Sequence, residues 1–588
     1  MIQNSMLTIN PSITQDIDDI INELKKELER QNIHGYALNI ISKQDTYLSY
    51  YYGFTDLSKT QKISENTIFC LQSTTKSLTT LAIMIAENIG LLKLDDTIYK
   101  YCQDIKFKSK FDEKEYQTIT FRHLLSHSSG IVCEARLGGV FNNTYCTWED
   151  HVKSCFDSWL LFPVGSSFSY SNIGMDLAVY VLERITNQPY SEFIDKYIAK
   201  PLKIDILFDL KMIFEKSEIA RGHSWDFQTS KTDGIAFGCG GAYLSMSDMT
   251  VLARLFLNKG RFNDSIILPD KYFDEMISVN GVLGYGLGTM VDSHNGISIP
   301  NHPGGGFGYS SDFYWLPEYD LSIIAFSNQE DSLFSMKIHL KKLLFHVLKA
   351  KRHNISSAPR KTGSRDLIDL NIERLSGVYR GVWGNKHIVW KNDSLVIDNG
   401  YLYEKLIAVN KNQFLTEDDK LYEFSRDDNY NPLKLTTSTE LLGDISYDFV
   451  RQYPNSPINE DNINPDWIGI YSFILYHTDI LYVAILIENG YLTLYGMEKY
   501  ILIQRESTPN IFDCLTGEVV IFQENSVILP SNTVAIKREN IVQEMKELKE
   551  NSPDHRHLEG WILDELVSKL KLLGSNTEAE EIAGLTTK

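Results

Sequence analysis

The chain has 588 residues, 43% hydrophobic and 23% charged, a composition typical of a soluble globular protein of about two to four domains. Its formal net charge of −20 argues against a nucleic-acid partner, because phosphate binding needs clustered lysine and arginine. The seven cysteines are odd in number and lack a C-x-x-C pair, which disfavours a disulfide framework or a zinc site and favours a reducing compartment. We find no basic segment followed by an apolar run at the N-terminus and no apolar stretch of ~20 residues, so we expect no signal peptide, no membrane span and a cytoplasmic location.

The first 350 residues mix helical and strand-like patterns. Apolar residues recur at helical spacing in the segments 16–31, 78–92 and 335–348. Strand-like runs occur at 35–42, 46–52, 241–245 and 313–328, while helices and loops dominate residues 95–235. Helices between strands near both ends of this region predict one antiparallel sheet with packed and inserted helices. We therefore expect an α+β (mixed α/β) domain at residues 16–350, after an N-terminal extension of residues 1–15.

The remainder of the chain has a different pattern, with a repeat. Residues 351–366 are polar and basic and indicate a linker, and short alternating strands follow it. The run LSGVY at 375–379 is echoed by WIGIY at 467–471, which places Gly377 and Gly469 92 residues apart. The repeat predicts two small antiparallel β-barrels, at 367–453 and 464–540, because closure removes exposed strand edges. A charged helical tail at 541–588 is expected to be peripheral or to form an oligomer contact.

Ser73 and Lys76 lie three residues apart where the second helical pattern begins. At the start of a helix this spacing places both side chains on one face. A serine hydroxyl needs an adjacent base to become a nucleophile, and a partly desolvated Lys76 with a lowered pKa could accept its proton. The alternative is that Ser73 is an N-cap and Lys76 a solvated first-turn residue.

A second polar cluster, Tyr170-Ser171-Asn172, lies between a loop and an apolar helix. The Tyr170 phenol could pass protons between Ser73 and a leaving group, and Asn172 could fix Lys76 or a substrate amide. The alternative is a packing tyrosine followed by an N-cap asparagine.

A third cluster, His302-Pro303-Gly304-Gly305-Gly306, precedes a strand-like run at 309–316. Consecutive glycines leave backbone N–H groups unscreened, as an oxyanion hole or an edge-strand contact with a substrate requires. His302 could donate a hydrogen bond to a substrate carboxylate or contact the Tyr170 oxygen. The alternative is a glycine-rich turn with an incidental histidine.

The i, i+4 histidine pair His123 and His127 could suggest a metal site. No glutamate lies between the two histidines and no third ligand is apparent, so a structural role at a helix end is predicted. We expect neither a metal nor another cofactor.

Several segments resemble the serine β-lactamase and penicillin-recognising family, in the branch that contains class C β-lactamases, D,D-carboxypeptidases and D-aminopeptidases. Beyond the three clusters, the matching segments are ITFRHLLSHSSGI at 119–131, FPVGSSFSYSNIGMDLAVYVLERIT at 162–186, GGAYLSMSDMTVLARLFLNKG at 240–260, YGLG at 285–288 and HPGGGFGYSS at 302–311. The resemblance covers roughly residues 16–350. It implies a covalent acyl-enzyme on Ser73, with Lys76 in the first motif, Tyr170 and Asn172 in the second and His302 at the start of the third.

The resemblance also implies an oxyanion hole made by the backbone N–H groups of Ser73 and Gly305. His302 stands where class C β-lactamases carry lysine, and Pro303 where many relatives carry threonine or glycine. Efficient β-lactamase activity is therefore not expected, and His302 looks more like the D-aminopeptidase and esterase-like members. The two C-terminal units look like the lipocalin-like barrels appended to some of these enzymes, in which a barrel loop can reach the active-site mouth.

The leading prediction is a metal-independent serine hydrolase that cleaves a small amide or short peptide, with D-residues among the candidate substrates. An amine or alcohol acceptor in place of water would make the protein a transacylase, a cyclase or an esterase. A catalytically silent binding protein is a third alternative, which the presence of all five motif side chains disfavours. A cytoplasmic enzyme would meet recycled peptides, imported dipeptides or biosynthetic intermediates, and a homo-oligomer is an open expectation.

Overall fold

The fold is known from a computed structural model. It describes residues 5–585 apart from 10–16, 140–145, 209–212, 214, 217, 225–226, 229–236, 280–283, 295, 331, 352–371, 382–383, 399–402, 417–419, 428, 430, 440–442, 453–462, 476–478, 489–490, 497–498, 506–507, 517, 532 and 552–559. Residues 352–366 of the predicted linker therefore lie outside the described residues.

The helices cluster in the first 350 residues and at the C-terminus. They are α1 (Ile17–Arg30), α2 (Thr75–Asn88), α3 (Phe121–Leu125), α4 (Trp148–Lys153), α5 (Asn172–Thr186), α6 (Tyr190–Ile194), α7 (Lys200–Leu202), α8 (Phe237–Gly240), α9 (Met246–Leu257), α10 (Asp270–Met276), α11 (Ser332–Ala350), α12 (Ile541–Asn551), α13 (Gly560–Leu572) and α14 (Asn576–Ala583). None of the helices in the described ranges is long and apolar enough to cross a bilayer.

The strands of the first region are β1 (Ser5–Ile9), β2 (Gly35–Ile41), β3 (Thr46–Gly53), β4 (Ile68–Cys70), β5 (His223–Ser224), β6 (Phe227–Gln228), β7 (Tyr243–Ser245), β8 (Arg261–Phe262), β9 (Ser265–Ile266), β10 (Met290–His294), β11 (Ile297–Gly306), β12 (Tyr309–Leu316) and β13 (Leu321–Ser327). Within this region the main sheet has the antiparallel order β1-β3-β2-β13-β12-β11-β10, and beyond β10 it continues into later strands of the chain. The predicted mixed α/β fold with an antiparallel sheet is confirmed.

Two details of this sheet differ from the patterns in the sequence. The run predicted over 313–328 is a hairpin, because a 3₁₀ turn at Pro317–Tyr319 separates β12 from β13 and Asp320 adopts a left-handed φ of 48°. Proline cannot donate to a strand ladder, so the strand ends there. Within the predicted N-terminal extension, β1 pairs with β3 and forms the edge of the sheet.

Helix α2 lies at the centre of the first region. Twelve of its residues, from Thr75 to Ala86, are buried, which agrees with a pattern that is apolar nearly all round. Thr79 connects it to its neighbours, because its hydroxyl lies 2.9 Å from the Tyr190 hydroxyl and 2.7 Å from the Gly238 carbonyl oxygen. The start of α2 is therefore held rigidly inside the domain.

The second region consists of two antiparallel β-barrels, as predicted. The first contains β14 (Gly377–Gly381), β15 (Gly384–Lys391), β16 (Ser394–Asp398), β17 (Tyr403–Lys405), β18 (Ile407–Ala408), β19 (Gln413–Leu415), β20 (Leu421–Arg426), β21 (Pro432–Thr439) and β22 (Gly443–Arg451). The second is closed and contains β23 (Gly469–Leu475), β24 (Asp479–Glu488), β25 (Tyr491–Tyr495), β26 (Lys499–Arg505), β27 (Thr508–Cys514), β28 (Val519–Phe522), β29 (Ser526–Ile528) and β30 (Val534–Arg538).

The sequence repeat corresponds to the same local structure in both barrels. The Tyr379 hydroxyl donates to the Leu375 carbonyl at 2.8 Å, and the Tyr471 hydroxyl donates to the Trp467 carbonyl at 3.0 Å. Each tyrosine thereby stabilises the turn that precedes the first strand of its barrel. At the C-terminal end, α12, α13 and α14 cover one outer face of the second barrel, where apolar helix residues pack against Tyr482.

Candidate active site

Ser73 lies in a 3₁₀ turn, Gln72–Thr74, directly before α2. Gln72 has a left-handed φ of 48°, a conformation that costs free energy in a non-glycine residue. The turn is held against the sheet because the Thr74 hydroxyl donates to the His302 carbonyl at 2.9 Å and the Ser311 hydroxyl donates to the Leu71 carbonyl at 2.6 Å. The residue at the N-cap of α2 is Thr74, so Ser73 does not cap the helix and its hydroxyl is available.

Lys76 is completely buried, and its ammonium nitrogen Nζ has three neighbours. Nζ lies 3.0 Å from Ser73 Oγ, 2.7 Å from Asn172 Oδ1 and 2.8 Å from the Cys239 carbonyl oxygen. Burial lowers the pKa of Lys76, against the opposing effect of the nearby carboxyl groups. The two carbonyl oxygens can only accept, so a neutral amine donates both its hydrogens to them and turns its lone pair toward the Ser73 hydroxyl.

Tyr170 lies over this pair. Its ring centroid is 4.7 Å from Lys76 Nζ and 4.4 Å from the centroid of the His127 ring. Burial raises the pKa of the Tyr170 phenol well above its ordinary value, although a hydrogen bond with Ser73 lowers it. The phenol therefore stays protonated at neutral pH and can donate a proton.

Asn172 is the first residue of α5, and the N-cap is its neighbour Ser171, whose hydroxyl accepts from the Gly174 N–H at 2.9 Å. This leaves the Asn172 amide free to face inward. Its Oδ1 accepts from Lys76, and its Nδ2 donates to Glu134 Oε1 at 2.5 Å. Asn172 therefore orients Lys76, one of the two roles that the sequence left open.

Two carboxyl groups of the site were not identified from the sequence. Glu134 is 4% exposed, and burial raises its pKa to about 7. Asp176 Oδ1 accepts from the N–H groups of Gly238 and Cys239 at 2.8 and 2.9 Å, so it holds in place the residue Cys239, whose carbonyl oxygen accepts from Lys76.

His302 is buried in a chain of hydrogen bonds. The Ser171 N–H donates to His127 Nδ1 at 3.1 Å, so His127 carries its proton on Nε2, 3.1 Å from the Tyr285 hydroxyl. His302 Nδ1 lies 2.7 Å from the Pro303 carbonyl and donates to it, which leaves Nε2 to accept from Tyr285 at 2.9 Å. Burial lowers the pKa of His302 to about 3, so the ring is neutral. Both nitrogens are occupied in this state, and the proposed contact of His302 with a substrate stays a prediction.

The glycine-rich cluster forms the end of β11 rather than a turn. A Cβ on Gly304 would lie 2.3 Å from the Leu71 carbonyl oxygen and 2.9 Å from the Ser73 nitrogen, so only glycine allows the strand to approach the serine this closely. Gly305 is exposed, and nothing lies within 4 Å of where its Cβ would be. It thus faces open space next to Ser73, and its N–H as part of an oxyanion hole stays a prediction.

The histidine pair does not form a shared site. His123 Nδ1 accepts from the Thr120 N–H at 3.2 Å and closes a capping box at the start of α3, whereas His127 belongs to the chain of hydrogen bonds near Tyr170. No group of three or more metal-ligating side chains occurs among the residues that the structure describes.

The first region of the chain matches a known protein family. A family model described as Beta-lactamase matches residues 17–346. The protein Flp of Staphylococcus aureus (strain MW2) is 30% identical over 190 residues, which is 32% of this chain and 37% of Flp. The chain thus spans little more than a third of that relative's length. An uncharacterised protein of Alkalihalophilus pseudofirmus is 24% identical over 305 residues, which is 51% of this chain and 78% of that protein.

The similarity to solved structures extends beyond the first region of this chain. The octameric penicillin-binding protein homologue from Pyrococcus abyssi has a TM-score of 0.50 at 20% identity, covering 74% of this chain and 100% of that chain. SurE has a TM-score of 0.52 at 20% identity, covering 74% of this chain and 98% of that chain. At this identity the likeness establishes the fold alone. Because the family model matches more than half of the chain, the chain belongs to the beta-lactamase family.

Proposed function

We propose that the protein is a serine hydrolase that forms an acyl-enzyme on Ser73 and cleaves a small amide or short peptide. The observation that carries the proposal is the environment of Lys76 Nζ, which has two fixed acceptors and the Ser73 hydroxyl as its third neighbour. A buried lysine held in this way has the lowered pKa and the geometry of a general base for the serine.

In the first half-reaction Ser73 Oγ attacks the substrate carbonyl and its proton passes to Lys76. The backbone N–H groups of Ser73 and Gly305 would stabilise the oxyanion. Tyr170 donates its phenol proton to the leaving nitrogen as the C–N bond breaks, and the Lys76 ammonium restores that proton. In the second half-reaction water attacks the ester, its proton passes through the same groups, and the acid and free Ser73 are released.

The third motif supports an amidase, aminopeptidase or esterase rather than a carboxypeptidase. Strand β11 carries no charged side chain, and its histidine, His302, is neutral. A substrate carboxylate placed there would find no cation to compensate its desolvation. A solved structure of SurE with D-Leu, a protein of the same fold, makes D-leucyl compounds a useful part of a substrate panel.

The test is a panel of p-nitroanilides of L- and D-amino acids, with free and acetylated amines, together with p-nitrophenyl esters. We expect turnover of some members by the natural protein and by Ser77→Ala, and a loss of more than about 10³-fold in Ser73→Ala. Ser77 is the matched control because it lies one turn along α2, where its hydroxyl donates to the Gly288 carbonyl at 2.9 Å. Near-normal rates in Ser73→Ala would refute the proposal, and products carrying an added amine would identify transfer rather than hydrolysis.

A further inference from the structure

A cavity of about 300 Å³ opens next to Tyr170, between the first region and both barrels. On one side its wall consists of Cys133, Phe168 and Tyr170. The second wall is formed by the end of β14 and the start of β15, including Gly381 and Asn385, and the third wall belongs to the second barrel. The cavity adjoins the candidate active site through Tyr170, whose ring centroid lies 4.7 Å from Lys76 Nζ.

The third wall is made of side chains that point into the second barrel. Val483, Leu494 and Leu529 line the cavity and also belong to the buried apolar core of that barrel. The cavity thus extends from Tyr170 into one end of the barrel interior. Such an opening presents apolar surface that is favourable to cover with an apolar group.

The charged side chains in the described lining of this cavity neutralise each other. Arg380 and Glu518 form an ion pair at 3.3 Å, with only 6% and 12% of their side chains exposed. Arg380 also donates to the Phe168 carbonyl at 3.2 Å and to the Thr516 carbonyl, so its hydrogen-bonding groups are engaged in holding the two barrels against the Tyr170 loop. Because this ion pair is neutral as a whole, a charged occupant would add one uncompensated buried charge, whereas a neutral apolar one would not. The other carboxylate oxygen of Glu518, Oε2, is buried and accepts no hydrogen bond from the described residues.

We propose that this cavity holds an uncharged, apolar substituent of the substrate, which makes the second barrel part of the substrate-binding site. The inference rests on the proposed function, because it places that substituent next to Tyr170 while the scissile bond lies at Ser73. A volume of about 300 Å³ corresponds to roughly ten water molecules at ~30 Å³ each, so a six- to eight-carbon chain or an aromatic ring of about that size fits. Each buried methylene is expected to raise kcat/KM by up to about fourfold.

The experiment measures kcat/KM for two ester series, one in which the acyl chain grows from two to eight carbons and one in which the alkyl leaving group grows while the acyl group stays acetyl. The variant is Ser531→Trp, which places a large side chain at the cavity wall in the loop between β29 and β30. Val483→Phe fills the cavity from the barrel side and serves as the second variant. Ile536→Trp is the matched control, because Ile536 is 47% exposed on β30 and lies outside the cavity.

The readout is the ratio of kcat/KM for the longest and shortest members of a series, from which differences in active protein concentration cancel. We expect this ratio to exceed about tenfold in at least one series for the natural protein and for Ile536→Trp, and to fall toward one in Ser531→Trp and Val483→Phe. A ratio near one in the natural protein, or a ratio that both cavity variants retain, overturns the inference.

A small methyl fluorophosphonate separates this result from a failure of the proposed function. Labelling of Ser73 without any chain-length preference refutes the cavity assignment alone. If Ser73 is not labelled and the two-carbon ester is not hydrolysed, both the proposed function and the cavity assignment are wrong.

Discussion

Replacing Glu134 with glutamine tests how the buried carboxyl group controls the proposed base. The hydrogen bonds of 2.7 and 2.5 Å on the two sides of the Asn172 amide keep Lys76 Nζ and the Glu134 oxygen within about 7.5 Å of each other. At an effective dielectric constant of about 20, one charge at that distance stabilises the ammonium by about 2 kcal/mol, or about 1.5 pKa units. Glu134→Gln removes this charge and keeps an acceptor for Asn172, so the pKa of Lys76 should fall.

The assay is the pH dependence of Ser73 labelling by a fluorophosphonate under single-turnover conditions. Labelling needs neutral Lys76, so its rate rises with pH through the pKa of Lys76, and Glu134→Gln should shift this limb to lower pH by about 1–1.5 units. The matched control is Glu183→Gln. Glu183 lies on α5, about 16 Å from Asn172 along the helix axis, and its carboxylate accepts from Trp148. An unchanged limb in Glu134→Gln, or a shift to higher pH, would refute the electrostatic coupling.

Three further predictions concern the proton donor, the neutral histidine and the contact between barrels and active site. Tyr170→Phe should lower the acylation rate by about 10²–10⁴-fold, measured by stopped-flow with an activated ester; an unchanged rate would leave Tyr170 with a packing role only. His302, with a pKa of about 3, should stay neutral and protonated on Nδ1 from pH 5 to 8 in ¹⁵N NMR spectra, and titration near pH 6 would contradict the hydrogen-bond chain. Arg380→Met should destabilise the protein by about 3–5 kcal/mol in urea unfolding, because it leaves buried Glu518 unpaired, whereas Arg184→Met at the surface should cost less than about 1 kcal/mol.

Local signals in the sequence were sufficient for much of the fold. Strand β12 coincides with the strand-like run predicted at 309–316 because turn residues delimit it, and α2 is buried as its apolar pattern requires. The hairpin at β12 and β13 was predicted as one run, because its short turn at Pro317–Tyr319 interrupts the apolar pattern only briefly. The two barrels followed from a repeat, and the structure explains that repeat by the hydrogen bonds of Tyr379 and Tyr471.

The parts of the site that were not predicted depend on contacts between distant segments. The Cys239 carbonyl lies 163 residues from Lys76 in the sequence. Because it is a backbone group, the residue type at that position does not reveal the contact. Glu134 acquires its raised pKa from burial, against the lowering effect of its hydrogen bond with Asn172, and neither effect is visible in the local sequence. The contact of Arg380 with the Tyr170 loop joins residues 212 positions apart and exists only once both barrels are docked.

The most direct test of the account is intact-protein mass spectrometry after incubation with a fluorophosphonate and, separately, with a penicillin. The account predicts one fluorophosphonate adduct per chain in the natural protein and in Ser77→Ala, and none in Ser73→Ala. An adduct that persists in Ser73→Ala would contradict the assignment of Ser73 as the acylated nucleophile.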